Sequence, residues 1–331
     1  METFRALVVD KEADGVALSL KDWSRDQLMS GDVTIRVEYS SVNYKDGLAV
    51  RADGRVVRNY PHIPGIDLAG EVIESGDRSI SVGSQVIVHG YDLGVSHHGG
   101  MAEIARVPAG WVVPLPSGLS TRQAMALGTA GFTAALSVAR LEEAGLTPDA
   151  GPVIVTGASG GVGSTAVDIL AARGYTVAAS TGSADAHEYL RALGASEIVD
   201  RAETSASSNR PLERGRWAGA VDAVGGPTLA YLLRTMNYGG SIAISGNAGG
   251  GEFSSTVYPF ILRAVNILGI DSVMLPIRGR IALWQRLATD LRPPHLDQSI
   301  AHEVTLDQAP DVLERIIGGG VQGRTIVRVT A

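Results

Sequence analysis

Cysteine is missing from this sequence of 331 residues. Its absence excludes disulfide bonds, thiol nucleophiles and thiolate zinc ligands at once. Aromatic side chains make up only 5% of the residues, so few flat surfaces are available for stacking on a ligand. No apolar run is long enough to span a bilayer, and residues 1–10 lack the basic start and long apolar core of a signal peptide. We therefore expect a cytoplasmic protein.

Positive charge is also scarce: 28 Lys and Arg residues stand against 35 Asp and Glu, for a net charge of −7. That balance disfavours nucleic acid and anionic membranes, and we expect neither as a partner. The remaining composition is that of an ordinary globular protein, with 45% hydrophobic and 19% charged residues. A chain of this length can form two domains with sizeable cores.

Glycine, in contrast, is abundant, with 41 residues. The most informative cluster is residues 157–163 (GASGGVG), which follow the apolar strand-like segment 153–156 and open a helix-like segment. Such a turn presents backbone N–H groups and the positive end of a helix dipole to an anion, most often the pyrophosphate of a dinucleotide. A tight structural turn is the alternative, but the strand before it and the strands and helices after it favour a dinucleotide site.

Two patterns divide the chain. Up to about residue 120 it is β-rich, with period-2 alternation at 33–39 and further strand candidates at 68–74 and 84–89. A capping box at 120–123 then opens a helix. From 153 onward strands alternate with helical segments, and the later strands are predicted at 175–179, 197–199, 220–224 and 241–245. This order predicts an α/β fold in which a compact β-rich domain accompanies a doubly wound parallel sheet.

The end of the second strand of that sheet, residues 178–183 (AASTGS), indicates which dinucleotide binds. An NAD site usually has an acid there for the ribose 2′-OH. This segment has small hydroxyl side chains instead, which can donate hydrogen bonds to a phosphate, so we predict NADPH. Arg201 is the candidate countercharge for the 2′-phosphate, and a solvated surface charge is its alternative interpretation.

Six segments together resemble the medium-chain dehydrogenase/reductase superfamily, and more narrowly its zinc-free quinone-oxidoreductase-like group, which includes acryloyl-CoA reductases. They are residues 41–46, 63–70, 128–134, 155–163, 236–240 and 322–325. The resemblance implies a GroES-like catalytic domain from residues 1–122 and 265–331, and a Rossmann NADP-binding domain from 123–264. Zinc-dependent relatives carry Cys and His-Glu ligands, but Gly65-Ile66-Asp67 and the lack of cysteine leave no ligand set, so no metal is expected.

The glycine turn, the strand end and the resemblance together give a set of expected cofactor-binding residues. They are Tyr44, Thr129, Ser159, Gly160, Gly161, Val162, Ser180, Thr181, Gly182, Ser183, Arg201, Asn247, Ile261, Ser272 and Arg324. Close relatives tend to have a basic residue where Ser183 stands. Its loss weakens the expected NADPH preference without reversing it, because no acid takes its place.

The resemblance implies NADPH-dependent reduction of the double bond of a short 2-enoyl-CoA, with acryloyl-CoA to propanoyl-CoA as the best candidate reaction. Tyr44 and Arg324 are the first catalytic candidates, and Asn43 and Asp67 are weaker ones. The alternative roles are a surface tyrosine for Tyr44, a strand-start salt bridge for Arg324 and a turn former for Asp67. A quinone or enone oxidoreductase and a non-catalytic NADPH-binding sensor remain as alternative functions.

A basic segment directly follows Tyr44 and bears on the substrate. Lys45 begins it and His62 ends it, and Arg51, Arg55 and Arg58 are its candidate ligands for the phosphates of coenzyme A. A solvated hairpin is the alternative. The adjacent histidines 97 and 98 are interpreted as part of a loop. A homodimer is expected by analogy with the superfamily, with the apolar segment 266–273 as a candidate edge strand.

Overall fold

The computed structural model describes residues 3–298, 300–319 and 321–330. The chain divides into two compact units. The first unit comprises Met1–Thr129, Val273–Asp290 and Leu296–Ala331. The second unit comprises Ala130–Ser272 and Leu291–His295.

The first unit is built mainly from strands. Its strands are β1 (Thr3–Glu12), β2 (Gly15–Ser24), β3 (Val33–Ser41), β4 (Asp67–Ser75), β5 (Gln85–His89), β6 (Ile104–Val107), β7 (Val113–Pro114), β14 (Ile300–Thr305) and β15 (Arg324–Arg328). Its helices are α1 (Tyr44–Ala49), α8 (Ile277–Leu287) and α9 (Ala309–Ile317). Strands β1 and β2 form an antiparallel pair, and the other strands form a sheet in the order β14-β15-β3-β4-β5-β7, with β6 paired to β3.

Alternation explains how the larger sheet of this unit buries its core. Val33, Ile35 and Val37 of β3 are fully buried, whereas Arg36 between them is exposed. They belong to one apolar cluster with Leu68 of β4 and Val327 of β15. The segments predicted as strands at 33–39, 68–74 and 84–89 lie within or next to β3, β4 and β5.

The second unit contains a parallel sheet with helices before and between its strands. The strands are β8 (Val153–Thr156), β9 (Val177–Thr181), β10 (Glu197–Asp200), β11 (Trp217–Asp222), β12 (Met236–Ile244) and β13 (Asn266–Gly269). The helices are α2 (Thr121–Glu143, which begins in the first unit), α3 (Gly161–Ala172), α4 (His187–Ala192), α5 (Arg201–Thr204), α6 (Gly226–Thr235) and α7 (Tyr258–Arg263).

The strand order β10-β9-β8-β11-β12-β13, with every neighbouring pair parallel, is the doubly wound dinucleotide-binding arrangement. All six carboxyl ends therefore lie at one edge of the sheet. The predicted α/β fold class is confirmed. The strand predicted at 266–273 is the shorter β13, and it forms an edge of the sheet.

The boundaries between the units differ from the predicted ones. Residues 265–272, predicted for the catalytic domain, lie in the second unit because β13 pairs with β12. The first boundary falls at Thr129, inside α2, instead of at residue 122. Here the helix is interrupted at Gly128, which has φ 50° and ψ −158°.

Helix α2 is the one helix among the described residues that is long and apolar enough to cross a membrane. In the structure, 83% of its most apolar window is buried inside the protein. The helix begins at the predicted capping box: Gln123 N donates to Ser120 Oγ at 3.1 Å, and Ser120 N donates to Gln123 Oε1 at 3.2 Å. Its apolar character is therefore accounted for by packing in the core.

Candidate cofactor and catalytic sites

The glycine turn lies between β8 and α3 and is shaped by close backbone contacts. Gly157 has φ +59°, a conformation that favours glycine. A Cβ on Gly163 would lie 2.3 Å from the Gly157 carbonyl oxygen, so the position accepts no side chain without a backbone shift. Helix α3 begins at Gly161, and its N-cap is Gly160, so no side chain caps the first turn. These N–H groups are left to bind an anion, as the sequence predicts.

The hydroxyl side chains at the end of β9 are used inside the protein. Ser180 is buried, and its Oγ lies 2.9 Å from Thr204 Oγ1. Thr181 Oγ1 donates to Ser159 Oγ at 3.2 Å and accepts a hydrogen bond from Ser183 N at 3.1 Å. The Ser180 hydroxyl therefore braces β9 against α5, and its role as a phosphate donor stays a prediction. Thr181 braces the glycine turn in the same way.

Arg201 reaches the end of β9 from the neighbouring strand. It is the first residue of α5, directly after β10, and β9 pairs with β10 in parallel. A Cβ on Gly182 would lie 2.6 Å from Arg201 Nε and 2.7 Å from its Cζ, so the guanidinium lies directly against this glycine. The exposed Arg201 is thus at the strand end where a 2′-phosphate needs a countercharge.

The remaining predicted cofactor residues of the second unit are more scattered. Asn247 is exposed in the loop after β12, and Ile261 of α7 is exposed over 67% of its surface. Ser272 is buried and accepts a hydrogen bond from Thr133 Oγ1 at 2.7 Å. Ser272 thus contacts Thr133 of the same unit, and its role in cofactor binding stays a prediction.

In the first unit, polar side chains converge on one buried carboxylate. We call this group the Asp67 cluster; its members are Ser41, Asn43, Asp46, Asp67, Thr129 and Arg324. Asp67 Oδ2 accepts hydrogen bonds from Ser41 Oγ at 2.5 Å, Asn43 Nδ2 at 2.8 Å and Thr129 N at 2.9 Å. Asp67 Oδ1 accepts one from Thr129 Oγ1 at 2.5 Å.

Arg324 supplies the positive charge of this cluster. Its side chain is 3% exposed, and Nη2 lies 3.8 Å from Asp67 Oδ2. Its N–H groups donate to Ala126 O, Val42 O, Asn43 Oδ1 and Ser41 Oγ at 2.8–3.2 Å. Arg324 is therefore the strand-start salt bridge that the sequence left as an alternative. Its donors are committed within the protein.

Ionisation in the cluster is set by burial and by neighbouring charge. Burial opposes the charge of Asp67, but the neighbouring His89 and Arg324, together with hydrogen bonds from Ser41 and Thr129, outweigh it and hold the pKa of Asp67 below its usual value. Burial, with the nearby charge of Asp67, raises the pKa of Asp46 to about 7. Asp46 accepts from Asn43 N and Ile66 N, both at 2.8 Å.

These contacts bear on the four catalytic candidates, whose roles stay predictions. Asn43 donates to Asp67 and Asp46 and accepts from Arg324, so its amide is fully engaged. Asp67 is fully buried and is no turn former. Tyr44, in contrast, is 51% exposed as the first residue of α1, and within the described residues its hydroxyl makes no hydrogen bond. Of the four candidates, Tyr44 alone retains a group for an external partner.

The basic segment after Tyr44 divides into paired and unpaired residues. Arg51 donates to both carboxylate oxygens of Asp53, at 2.9 and 3.0 Å, so its charge is matched locally. His62 is 2% exposed and points away from solvent. Arg55 and Arg58 are exposed, and Arg55 has φ 54°, an uncommon conformation for a side chain of this size. The candidate for coenzyme A phosphates is therefore the pair Arg55 and Arg58.

Sequence reasoning missed the parts of the cluster that only bind other residues. Ser41, Asp46 and Gly128 lie in segments 41–46 and 128–134, which carry the family resemblance. A single serine, aspartate or glycine, however, does not indicate a functional role by itself. His89 was also missed: Trp284 Nε1 donates to its Nε2 at 2.9 Å, and Arg280 lies against its ring. Burial lowers the pKa of His89 to about 3.

Across residues 3–298, 300–319 and 321–330, no group of three or more His, Cys, Asp or Glu could hold a metal.

The parallel sheet with its glycine turn in one unit, and the polar cluster of the β-rich unit, are the features of a dinucleotide-dependent oxidoreductase. Residues 29–117 match the family model of the alcohol dehydrogenase GroES-like domain, and residues 161–288 match that of zinc-binding dehydrogenase. The chain belongs to the medium-chain dehydrogenase/reductase superfamily, in its quinone-oxidoreductase-like group.

Three similar proteins cover nearly the whole chain. Acrylyl-CoA reductase AcuI of Ruegeria pomeroyi is 52% identical over 99% of this chain and 100% of its own. Putative quinone oxidoreductase YhfP of Bacillus subtilis is 51% identical over 98% of this chain and 99% of its own; its structure with NAD bound has a TM-score of 0.97. The yhdH oxidoreductase of Salmonella enterica, solved in complex with NADP, is 48% identical over 98% of this chain and 100% of that one, with a TM-score of 0.95.

Proposed function

We propose that this chain reduces the carbon–carbon double bond of a short 2-enoyl-CoA with NADPH, and that its reaction converts acryloyl-CoA to propanoyl-CoA. The observation that carries the proposal is the similarity to acrylyl-CoA reductase AcuI over both full lengths. The location of Arg201 against Gly182, and a strand end without an acid, support NADPH as the cofactor.

The glycine turn and the end of β9 fit the two phosphate-bearing parts of this cofactor. The uncapped N–H groups at the start of α3 suit the pyrophosphate, and the Arg201 guanidinium suits the 2′-phosphate. Arg201→Ala should weaken NADPH binding about tenfold or more and leave NADH binding unchanged. Arg210→Ala, an exposed arginine of the same unit, is the control. An equal loss for both cofactors contradicts the 2′-phosphate role.

The bound cofactor supplies hydride to the β-carbon of the enoyl thioester. The protein must then donate a hydrogen bond to the thioester oxygen as it gains negative charge, and provide a path for a proton to the α-carbon. Tyr44 is the proposed donor, because its hydroxyl is free while Asn43 and Arg324 are committed within the Asp67 cluster. Tyr44→Phe should lower kcat by a factor of about 10² while the protein remains folded.

Arg55 and Arg58 are the proposed ligands for the phosphates of coenzyme A. The double variant Arg55→Ala/Arg58→Ala should raise KM for acryloyl-CoA and leave NADPH affinity unchanged. Arg51→Ala is the matched control, because Asp53 already neutralises that arginine. An unchanged KM for acryloyl-CoA in the double variant contradicts this assignment.

Turnover tests the whole proposal. NADPH oxidation should be measured with acryloyl-CoA, crotonoyl-CoA and a quinone as separate substrates. Preference for the two thioesters supports the proposal, whereas preference for the quinone supports the activity named for YhfP. Tight NADPH binding without turnover of any of the three supports a non-catalytic sensor.

A homodimer is the assembly we propose. Strand β13 leaves one edge of the parallel sheet without a neighbour among the described residues. Helix α7, next to it in sequence, exposes Phe260, Ile261 and Leu262, which is an apolar surface a second copy would cover. Sedimentation equilibrium should give twice the chain mass, and Ile261→Asp should shift it toward the monomer. A cytoplasmic location stays a prediction.

A further inference from the structure

The strand order of the second unit reverses between β8 and β11. From β8 the chain adds β9 and then β10 on one side of the sheet, and it then crosses to add β11, β12 and β13 on the other side. In a doubly wound sheet a dinucleotide binds across the crevice at this reversal, outside the carboxyl ends of the strands. The last residues of β8 and β11, Thr156 and Asp222, are aligned in the register of the two strands. They therefore lie at the floor of that crevice.

A side-chain hydrogen bond joins these two residues across the crevice floor. Thr156 Oγ1 donates to Asp222 Oδ1 at 2.6 Å, and both residues are buried. The glycine turn, 157–163, begins directly after Thr156, and the short loop that leads into α6 begins directly after Asp222. The hydrogen bond therefore ties the chain that enters the glycine turn to the chain that enters α6.

Asp222 also fixes the backbone that follows it. Val224 N donates to Asp222 Oδ1 at 2.9 Å, and Gly225 N donates to both carboxylate oxygens at 3.2 Å. These two N–H groups and the Thr156 hydroxyl are all donors, which suits a carboxylate because it can only accept hydrogen bonds. One buried carboxylate therefore holds the end of β8 and the loop after β11 together.

Val224 lies between the glycine turn and the loop after β12. A Cβ on Gly157 would lie 3.2 Å from Val224 Cγ2, and a Cβ on Gly249 would lie 2.8 Å from Val224 Cγ1. Gly249 N donates to Val224 O at 2.7 Å, and Ser245 N donates to Asp222 O at 2.9 Å. The ends of β8, β11 and β12 are thus held in one arrangement at the edge of the sheet where the crevice opens.

We propose that Asp222 and Thr156 are positioning residues for the cofactor, and that their hydrogen bond sets the width of the crevice between the glycine turn and the loop after β11. The inference rests on the proposed function, which makes NADPH the cofactor. The two mononucleotide halves of a dinucleotide lie on opposite sides of the reversal, so binding of the whole cofactor depends on that width. Binding of a fragment on the β9 side, where Arg201 lies against Gly182, does not depend on it.

Calorimetric titration with two probes, in the absence of substrate, tests this inference. NADPH spans the crevice, whereas 2′,5′-ADP carries only the adenosine half with its 2′-phosphate. Thr156→Val keeps the shape of the side chain and removes its hydrogen bond to Asp222. It should raise Kd for NADPH about fivefold and leave Kd for 2′,5′-ADP unchanged. Thr156→Ser retains the hydroxyl and should bind both probes as the parent protein does.

Thr235→Val is the matched control. Thr235 is buried in the same unit and its Oγ1 donates to Tyr231 O at 2.8 Å, but it is the last residue of α6, whereas the first residue of that helix is next to the crevice. It should change neither Kd. Asp222→Asn replaces an acceptor oxygen with an N–H donor against Gly225 N, and it should also weaken the binding of NADPH alone. Because Thr156→Val takes a donor from a buried carboxylate, Asp222→Asn decides the test if Thr156→Val fails to fold.

The outcomes separate this inference from the proposed function. Weakening that is confined to NADPH and is absent in Thr156→Ser supports the positioning role. Equal weakening of both probes by Thr156→Val, or an unchanged NADPH affinity, overturns that role, while NADPH-dependent turnover by the parent protein still supports the function. Failure of the parent protein to bind NADPH overturns both.

Discussion

The glycine turn of the second unit and the Asp67 cluster of the first unit prepare for a ligand in opposite ways. The turn works through backbone atoms, and its defining contact is the approach of Gly163 to the Gly157 carbonyl. The cluster works through side chains, four of which contact the Asp67 carboxylate. A substitution that adds a side chain should therefore disturb the turn. A substitution that removes a polar or charged group should disturb the cluster.

Removing the charge of Arg324 should have the largest effect. Arg324→Met leaves Asp67 ionised and buried without its counterion, and losing one partner of a buried pair costs about 3–5 kcal/mol. Urea unfolding measures the loss. Arg328→Met, on an exposed residue of the same strand, should cost less than about 1 kcal/mol. Equal losses for the two variants would mean that the cluster contributes little to stability.

Adding one methyl to the turn should have a smaller effect on stability and a specific effect on binding. In Gly163→Ala the new Cβ meets backbone at 2.3 Å, so the turn must shift, at about 1–3 kcal/mol. NADPH binding should weaken together with stability. Gly251→Ala is the control, since a Cβ there meets nothing within 4 Å. Unchanged NADPH affinity in Gly163→Ala would show that the turn does not hold the cofactor.

Acid should lower the stability of the first unit by protonating two buried histidines, His62 and His98. Burial lowers the pKa of His62 and of His98 to about 4, and His62 Nε2 and His98 Nδ1 have no hydrogen-bond partner among the described residues. The unfolded chain binds these protons near pH 6.5, so stability should fall as the pH drops from 6.5 toward 4.

Asp46 acts in the reverse direction, because its folded pKa of about 7 lies above its unfolded value of 3.8. Its contribution to stability is present in acid and is lost as the pH rises through 7.

Unfolding free energies measured between pH 4 and 8 test the role of His62. The fall in stability toward pH 4 should be smaller in His62→Leu than in the parent protein. The exposed His302→Gln should leave the acid limb unchanged. An identical acid limb in His62→Leu would remove His62 as its cause.

Local sequence patterns predicted much of the fold. Strand β8 has the predicted bounds, and α3 buries Ala166, Ile169 and Leu170 on its predicted face. These features depend on neighbours a few residues apart, which a sequence displays directly. The start of α2 is another case, since Ser120 and Gln123 cap each other across one turn.

The site was less accessible to such reasoning because its contacts join distant parts of the chain. Arg324 and Asn43, which share a hydrogen bond, are 281 residues apart. Nothing next to Arg324 in sequence shows that it is enclosed, so a free cation was an equally good interpretation. Gly182 shows the same limit: the sequence predicts it at the end of a strand, but only the structure shows that Arg201 lies against it.

The pairing of β15 with β3 sets an order for folding during synthesis. Ile326 aligns with Ser41, so this part of the first unit cannot close until β15 has left the ribosome. The second unit, almost continuous from Ala130 to Ser272, has all of its sheet strands well before then. A nascent chain therefore carries Asp67 without its counterion until residue 324 has been made, and the arrival of Arg324 completes the cluster.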